Sequence, residues 1–341
     1  MSQNKVHYKV NSKIGEVIAS KNQAISIFSG AGGLDVGAQL ANCKIISSLD
    51  NDIDSTSTMK ANKYFNHSEH ICNSVGDIKG TNYSSIIRHN NPDKLILIGG
   101  PPCQPFSKAG YWVTHKKRLG YADPRNMIGQ FLRLVDELKP DGYILENVES
   151  ILHPKNIQAS DIIKEASSKM GYHLKVIKAN AADYGVPQKR KRVFFIGSTK
   201  DIKTELVPTH QPIKNSNSEL KLLPYEKVST WINKFNTKTF SDGYDSIEGK
   251  YCDDLISVPP GKNYIALTEK HNYPNPKFIA GKRYWSFLLK LHPDLPSWTI
   301  ISSPGHWEGP FHWENRRLRL KELAAIQTFP EDYIFYGSRR S

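Results

Sequence analysis

Short apolar runs alternate with longer amphipathic ones over the first 199 residues of the chain. The apolar runs Ala24–Phe28, Lys44–Leu49, Ile71–Val75, Leu95–Ile98, Gly142–Leu145, Leu174–Ile177 and Val193–Ile196 have the length and flanking turn residues of buried strands. Between several of them, Leu34–Ala41, Asn126–Leu138 and Ile157–Met170 carry apolar residues at helical spacing. Strands alternating with helices predict an α/β fold, with a doubly wound, mostly parallel sheet. Beyond residue 200 the texture changes. Residues 201–295 are rich in Pro, Asn, Ser, Lys and Tyr, with turn signals such as PPGKN and NYPNP, and predict a second, smaller, loop-rich domain with short strands. A helical pattern returns at Leu318–Gln327 and is ended by Pro330. The expected organisation is an N-terminal extension (1–22), a first domain (23–200), a second domain (201–310) and a C-terminal segment (311–341) returning to the first.

Composition sharpens this picture in two respects. At 341 residues, 38% of them hydrophobic, the chain can bury a large core and a smaller one. No run approaches the ~18 apolar residues of a membrane helix. The start, MSQNKVHYKVNSK, lacks the apolar core of a secretory signal, so nothing suggests export and a cytoplasmic protein is expected. Cys43, Cys72, Cys103 and Cys252 are scattered without a CxxC pair, which argues against a disulfide framework and against a metal site. Lys and Arg outnumber Asp and Glu by 46 to 33, for a formal charge of +13. That excess suits solubility and equally suits a polyanionic partner. Residues 1–199 hold 26 of the basic and 17 of the acidic side chains, with a dense stretch at Lys108, Lys116, Lys117, Arg118 and Arg125.

Four segments carry candidate chemistry. In AISIFSGAGGLDVG a strand runs into a glycine turn and then a helix. Gly30, Gly32 and Gly33 permit tight backbone geometry and close approach of a nucleotide-like ligand at a sheet switch point. Asp50 ends the next strand, placed for ribose hydroxyls, and Asp77 follows the third, placed for an adenine amino group. A glycine turn alone also occurs without ligand; two acids after two successive strands strengthen the binding reading. No GxxxxGK[ST] occurs, which disfavours a P-loop enzyme. In LILIGGPPCQPFSKAG a strand ends in two glycines, two prolines and Cys103. Pro101 and Pro102 fix φ and stiffen the platform under the thiol, in a setting too polar for an inert core cysteine. In YILENVES a strand delivers Glu146 and Asn147 at its C-terminal end, beside the Cys103 loop if strand order follows sequence. A half-buried Glu can hold the proton a general acid needs. In QKRKRVFFIG, Arg190 and Arg192 alternate with lysines before a strand, so both are expected on one face.

GPPCQPFS, ENV, QxRxR and the terminal RxLxxxExAxxQxFP arrangement ending at Pro330, in this order, resemble the ordered motif set of cytosine-5 DNA methyltransferases. The match covers roughly residues 24–200 and 315–337. The resemblance implies a Rossmann-like fold dependent on S-adenosylmethionine, double-stranded DNA as partner, and a restriction-modification role. It implies that Cys103 attacks carbon 6 of a flipped-out cytosine, that Glu146 holds ring nitrogen 3 and the exocyclic amine, and that Arg192 contacts the ring oxygen with Arg190 in support. Phe28, Gly30, Gly33, Asp50 and Asp77 would contact the cofactor, with help from Pro102 and Gln104. The basic stretch Lys108–Arg125 becomes a loop closing on the DNA backbone. Residues 201–310 become the target-recognition region, where Tyr251, Tyr264, Tyr273, Tyr284, Trp285, Trp298, Trp307 and Trp313 suit either nucleic-acid contact or the core of a small domain.

Three other readings compete with this one. A tRNA cytosine-5 methyltransferase of the same fold would carry Cys-Phe-Thr in its second domain, whereas Cys252 precedes Asp253 and Asp254. A non-catalytic DNA-binding relative would lack the Cys or the Glu. A dinucleotide-dependent redox enzyme would not need PPCQ together with ENV. The family's Gly-Asn-x-Val-Pro motif is absent from the sequence, which leaves two expectations open: a truncated chain, or a small second subunit that supplies the motif.

Overall fold

The computed structural model describes residues 20–102, 127–203, 205–212 and 222–337. The chain divides into two compact units. The first comprises Met1–Lys178, Lys191–Leu206 and Tyr333–Arg339; the second comprises Ala179–Arg190, Val207–Asp332 and Arg340–Ser341. Residues 311–332 thus group with the second unit, and the return to the first falls at Tyr333 instead of at residue 311. The reason is apolar: Leu318, Ala325 and Ile326 share a buried cluster with Val228, Ile232 and Phe235 of the second unit.

The strands are β1 (Asn22–Ile27), β2 (Lys44–Asp50), β3 (Glu69–Cys72), β4 (Lys94–Gly99), β5 (Gly142–Val148), β6 (His173–Asn180), the two-residue β7 (Gln188–Lys189) and β8 (Lys191–Ser198). All but β7 form the seven-stranded sheet of the first unit, in the order β3-β2-β1-β4-β5-β8-β6. The pairs β1–β2, β2–β3, β1–β4 and β4–β5 are parallel and β5–β8 is antiparallel. Strand order reverses between β1 and β4, so a crevice opens beyond their C-terminal ends, where ligands of doubly wound folds bind. The helices of this unit are α1 (Gly33–Leu40), α2 (Ile53–Ala61), α3 (Ser84–Asn90), α4 (Ile128–Leu138) and α5 (Ile157–Lys169). The predicted strands and helices fall on these elements to within a few residues. The third strand is the main displacement: it stops at Cys72, because the Ser74 hydroxyl accepts from Gly76 N (3.3 Å) and folds Val75–Asp77 into a single 3-10 turn.

The core of the unit follows from periodicity. On α4, Ile128, Phe131, Leu132 and Val135 recur at three- and four-residue intervals and are buried, in one cluster with Ile25, Ile27, Leu97 and Leu145 of the sheet. Each such side chain contributes about 2 kcal/mol on burial. The opposite face of α4 is polar and has a structural use. Arg133 Nη2 donates to the carbonyls of Val75 (2.9 Å) and Ile78 (2.8 Å), and Glu137 accepts from Gly80 N, so the turn bearing Asp77 is clamped from both ends.

The second unit is loop-rich, as expected. Its elements are β9 (His210–Gln211), β10 (Leu223–Pro224) and β11 (Ser297–Trp298), and the short helices α6 (Val228–Ile232), α7 (Cys252–Ser257) and α8 (Leu320–Ile326). One cluster gathers Leu255, Val258, Tyr264, Phe278, Phe287 and Phe311. Arg316 grips the fully buried Glu322 with two bonds (2.9 and 2.7 Å), and Arg319 pairs with Asp245 at 2.7 Å. Among the described residues no helix is long and apolar enough to cross a membrane.

Candidate active site

The glycine turn begins where β1 ends. Phe28 takes a left-handed φ of 56°, which swings the chain out of the sheet and into Gly30 (φ 51°) and Gly32 (φ 81°). These glycines have different reasons to be glycine. A Cβ on Gly32 would stand 2.4 Å from Met59 Sδ and 2.7 Å from Tyr333 Oη, so packing forbids it. A Cβ on Gly30 would meet nothing within 4 Å, so the space above it is open for a ligand. Gly33 opens α1. Asp50, at the end of β2, accepts from Gly30 N (2.8 Å) and Asp52 N (3.0 Å), which ties its carboxylate to the turn. Asp77 is exposed on its clamped turn.

The turn is also held by two residues that sequence reasoning missed. Tyr333 donates its hydroxyl to Ala31 O at 2.6 Å and stacks on Tyr64 at 6.0 Å. Buried Asn62 exchanges two hydrogen bonds with Ile334, giving one to its carbonyl (2.8 Å) and accepting one from its N–H (3.0 Å). Beneath the turn lies a third, Asp35, fully buried in the first turn of α1. Burial pushes its carboxyl up to about 7, and the neighbouring Asp50 acts in the same direction. Ser26 is near enough to draw the value down somewhat, yet neither carboxylate oxygen makes a hydrogen bond of good geometry.

The second half of the site sits at the C-terminal ends of β4 and β5, adjacent parallel strands in register at Gly99 and Leu145. Gly99 has no room for a side chain, since a Cβ would lie 2.4 Å from the Ile27 carbonyl. A Cβ on Gly100 would lie 3.1 Å from Glu146 Oε2, so the chain leaving β4 passes directly over that carboxylate. Asn147, 1% exposed, points to the other face of β5 and reaches the Pro101 carbonyl at 3.4 Å. The Glu-Asn-Val strand and the Pro101 end of the chain leaving β4 are therefore neighbours. Pro102 is exposed; Cys103, Gln104 and the basic stretch Lys108–Arg125 lie outside the described residues.

Arg192 comes from β8, whose antiparallel register sets Arg192 opposite Val148 and Phe194 opposite Glu146. Arg192 and Glu146 therefore share a face as diagonal neighbours. Arg192 Nε lies 2.7 Å from Glu146 Oε1, with the side chains 18% and 24% exposed. Arg190 falls between β7 and β8. The strand is interrupted there, because the Arg190 carbonyl accepts from Ala181 N (2.9 Å), and the residue groups with the second unit.

What these residues can do follows from their chemistry. The turn offers open space, a carboxylate anchored at its rim and a second exposed carboxylate, an acceptor set suited to the hydroxyls and amine of a nucleoside. Glu146 offers a partly desolvated carboxylate whose position is set by a guanidinium, suited to a ring nitrogen and its neighbouring amine. The sheet order and its switch point define a doubly wound α/β fold with a crevice at the C-terminal ends of its central strands. The chain belongs to the C-5 cytosine-specific DNA methylase family, whose profile matches residues 22–341. It is 33% identical to the Type II methyltransferase M.SacI of Streptomyces achromogenes, covering 93% of this chain and 86% of that protein. It is 32% identical to the Type II methyltransferase M.FnuDI of Fusobacterium nucleatum, covering 92% and 85%. Its fold resembles that of an Escherichia coli prophage-encoded DNA modification methyltransferase, with a TM-score of 0.60, 24% identity and coverage of 92% and 90%.

Proposed function

We propose that the protein transfers a methyl group from S-adenosylmethionine to carbon 5 of a cytosine flipped out of duplex DNA, as the modification enzyme of a restriction-modification system. The observation that carries this reading is the Glu146–Arg192 pair lying beside the chain that leaves β4 toward Cys103. S-adenosylmethionine supplies an electrophilic methyl group. Phe28, Gly30, Gly33, Asp50, Asp77, Pro102 and Gln104 would hold it, the open space over Gly30 and the anchored Asp50 carboxylate fitting such a ligand.

In this reading the Cys103 sulfur, as thiolate, bonds to carbon 6 of the ring. Glu146 presents a proton to nitrogen 3 and accepts from the exocyclic amine, so charge arriving on the ring is neutralised and carbon 5 becomes nucleophilic. Arg192 fixes the Glu146 carboxyl and turns remaining donors toward the ring oxygen, with Arg190 in support. After carbon 5 is alkylated its proton is lost and the carbon–sulfur bond breaks, which regenerates the thiolate. Lys108–Arg125 would close on the phosphates, and residues 201–310 would choose the target. The enzyme would work in the cytoplasm, on the nucleoid.

The reading retains a small second subunit carrying Gly-Asn-x-Val-Pro. In its support, Ile334 and Tyr336 run along α2 beside the glycine turn, with Tyr336 N donating to Thr58 Oγ1 at 2.9 Å. Incubating the purified protein with a plasmid library and S-adenosylmethionine, with and without such a polypeptide, and reading the product by bisulfite sequencing tests the whole proposal. Methylated cytosine at one defined sequence is expected. Methylation of tRNA but not DNA, or of neither, would reject it.

A further inference from the structure

Seven consecutive residues of the second unit, Ile279 through Trp285, are all exposed. They include Ile279 at 69%, Tyr284 at 53% and Trp285 at 49%. Large apolar side chains are seldom left side by side in water unless something covers them in use. The segment is held firmly from below. Buried Phe278 and Phe287 anchor its two ends, edge to face at 5.7 Å. Between them the buried Tyr264 hydroxyl accepts from Gly281 N (3.0 Å) and Arg283 N (3.2 Å) and donates to Arg283 O (3.2 Å). Asn263 donates to Trp285 O at 2.8 Å. A rigid peptide with outward side chains suits recognition, because little ordering entropy is lost on contact.

Charge indicates what covers it. No Asp or Glu occurs between Glu269 and Asp294, whereas Lys270, Lys277, Lys282, Arg283 and Lys290 do. Lys277 is paired with Asp254 and Lys290 is buried, which leaves Lys270, Lys282 and Arg283 on the exposed surface. At the far end Trp285 meets Trp298 edge-on at 4.5 Å, and Lys189 Nζ stands 4.8 Å over the Trp298 ring. Cations interleaved with aromatic rings fit duplex nucleic acid, with phosphates for the cations and groove edges for the rings.

We propose that Ile279–Trp285 is the segment that reads the base sequence around the target cytosine, with Tyr284 against base edges and Lys282 on the phosphate backbone. The inference rests on the DNA-methylating reading above and names the part of the second unit that makes it sequence-specific. Phosphate contacts add affinity without sequence information, whereas base contacts discriminate, so the two side chains have separable signatures.

The test uses the full chain, together with any partner it requires, as wild type, Tyr284→Ala and Lys282→Ala. Methylation of a randomised plasmid library gives the sequence preference, duplex binding against salt gives the charge term, and calorimetry gives the affinity for S-adenosylmethionine. Tyr284→Ala should relax the preference at one or two positions flanking the methylated cytosine by about tenfold, with cofactor affinity kept. Lys282→Ala should weaken binding to every duplex alike and reduce the log–log salt slope by about 0.9. If the wild type methylates a defined sequence and Tyr284→Ala keeps the same preference while remaining folded, the segment does not read DNA. Loss of a self-association by Tyr284→Ala with unchanged preference would overturn it too, in favour of contact with a second copy of the chain. A wild type that methylates no DNA at all would instead defeat the underlying function.

Discussion

The guanidinium of Arg192 and the carboxylate of Glu146 meet at 2.7 Å as a diagonal pair across the antiparallel strands β5 and β8. Each is held on one side by its strand and on the other by its partner, so the carboxylate has one orientation relative to the chain leaving β4. The pair should act as a unit. Glu146→Gln and Arg192→Ala should each lower the rate of methyl transfer by about 10²–10⁴-fold, and the double variant by much less than the product of the two. Single-turnover assays on saturated DNA measure this. Additive losses would mean that the two side chains work independently.

The two glycines with positive φ in the turn after β1 should fail differently. Gly32→Ala forces a methyl group into Met59 and Tyr333 as well as a left-handed backbone, and should destabilise the fold by a few kcal/mol. Gly30→Ala carries only the backbone cost, about 1–2 kcal/mol, but its methyl group enters the open space of the turn. Thermal melts and cofactor calorimetry, compared for both, should show Gly32→Ala losing stability first and Gly30→Ala losing cofactor binding first. Equal stability losses with equal affinity would dissociate the turn from the cofactor.

Tyr333→Phe removes one hydrogen bond to the Ala31 carbonyl and leaves the ring in place. A loss of about 1 kcal/mol is expected, appearing as a several-fold weaker affinity for S-adenosylmethionine with little change in DNA binding. Asn62→Ala deletes both bonds to Ile334 and should cost more. Unaltered cofactor affinity in both variants would show that this segment does not position the turn.

Asp35 gives the protein a definite pH signature. Its carboxyl is raised to about 7 when folded and titrates at about 3.9 when unfolded. Between those values the folded chain binds a proton that the unfolded chain has released, so stability falls as pH rises through this window, by up to about 4 kcal/mol, and is level above it. Asp35→Asn should flatten that slope. Urea unfolding at about pH 5 and about pH 8 compares the two, and the same slope in both proteins would assign the pH dependence elsewhere.

Much of this was legible in the sequence, for identifiable reasons. Strands β1, β2, β4 and β5 are buried, so their apolar runs stand out, and the glycine turn, Glu146 and Asn147 lie immediately after or within them. Helix α2 was missed because IDSTSTMKA has no apolar stripe; it is initiated by the Asp52 side chain accepting from Asp54 N at 3.1 Å. The contact of Tyr333 with Ala31 joins residues 302 apart in the chain, and no local pattern carries such information. The aromatic residues of the second unit looked equivalent in sequence. Tyr264 turns out to be core and Tyr284 surface, a division set by packing in a segment without periodicity. Arg190 looked like the twin of Arg192, and only the interruption before β8 separates them.

The central claim is that Glu146 and Arg192 prepare a cytosine ring for attack by Cys103. Duplex DNA carrying 5-fluorocytosine, incubated with the protein and S-adenosylmethionine, tests it most directly, because fluorine at carbon 5 blocks the final elimination. Mass spectrometry of the digested adduct should find the base, methylated at carbon 5, bonded through carbon 6 to the Cys103 peptide. The adduct should be absent from Cys103→Ala and strongly reduced in Glu146→Gln. A methylated product from Cys103→Ala, or an adduct on Cys43, Cys72 or Cys252, would contradict the claim.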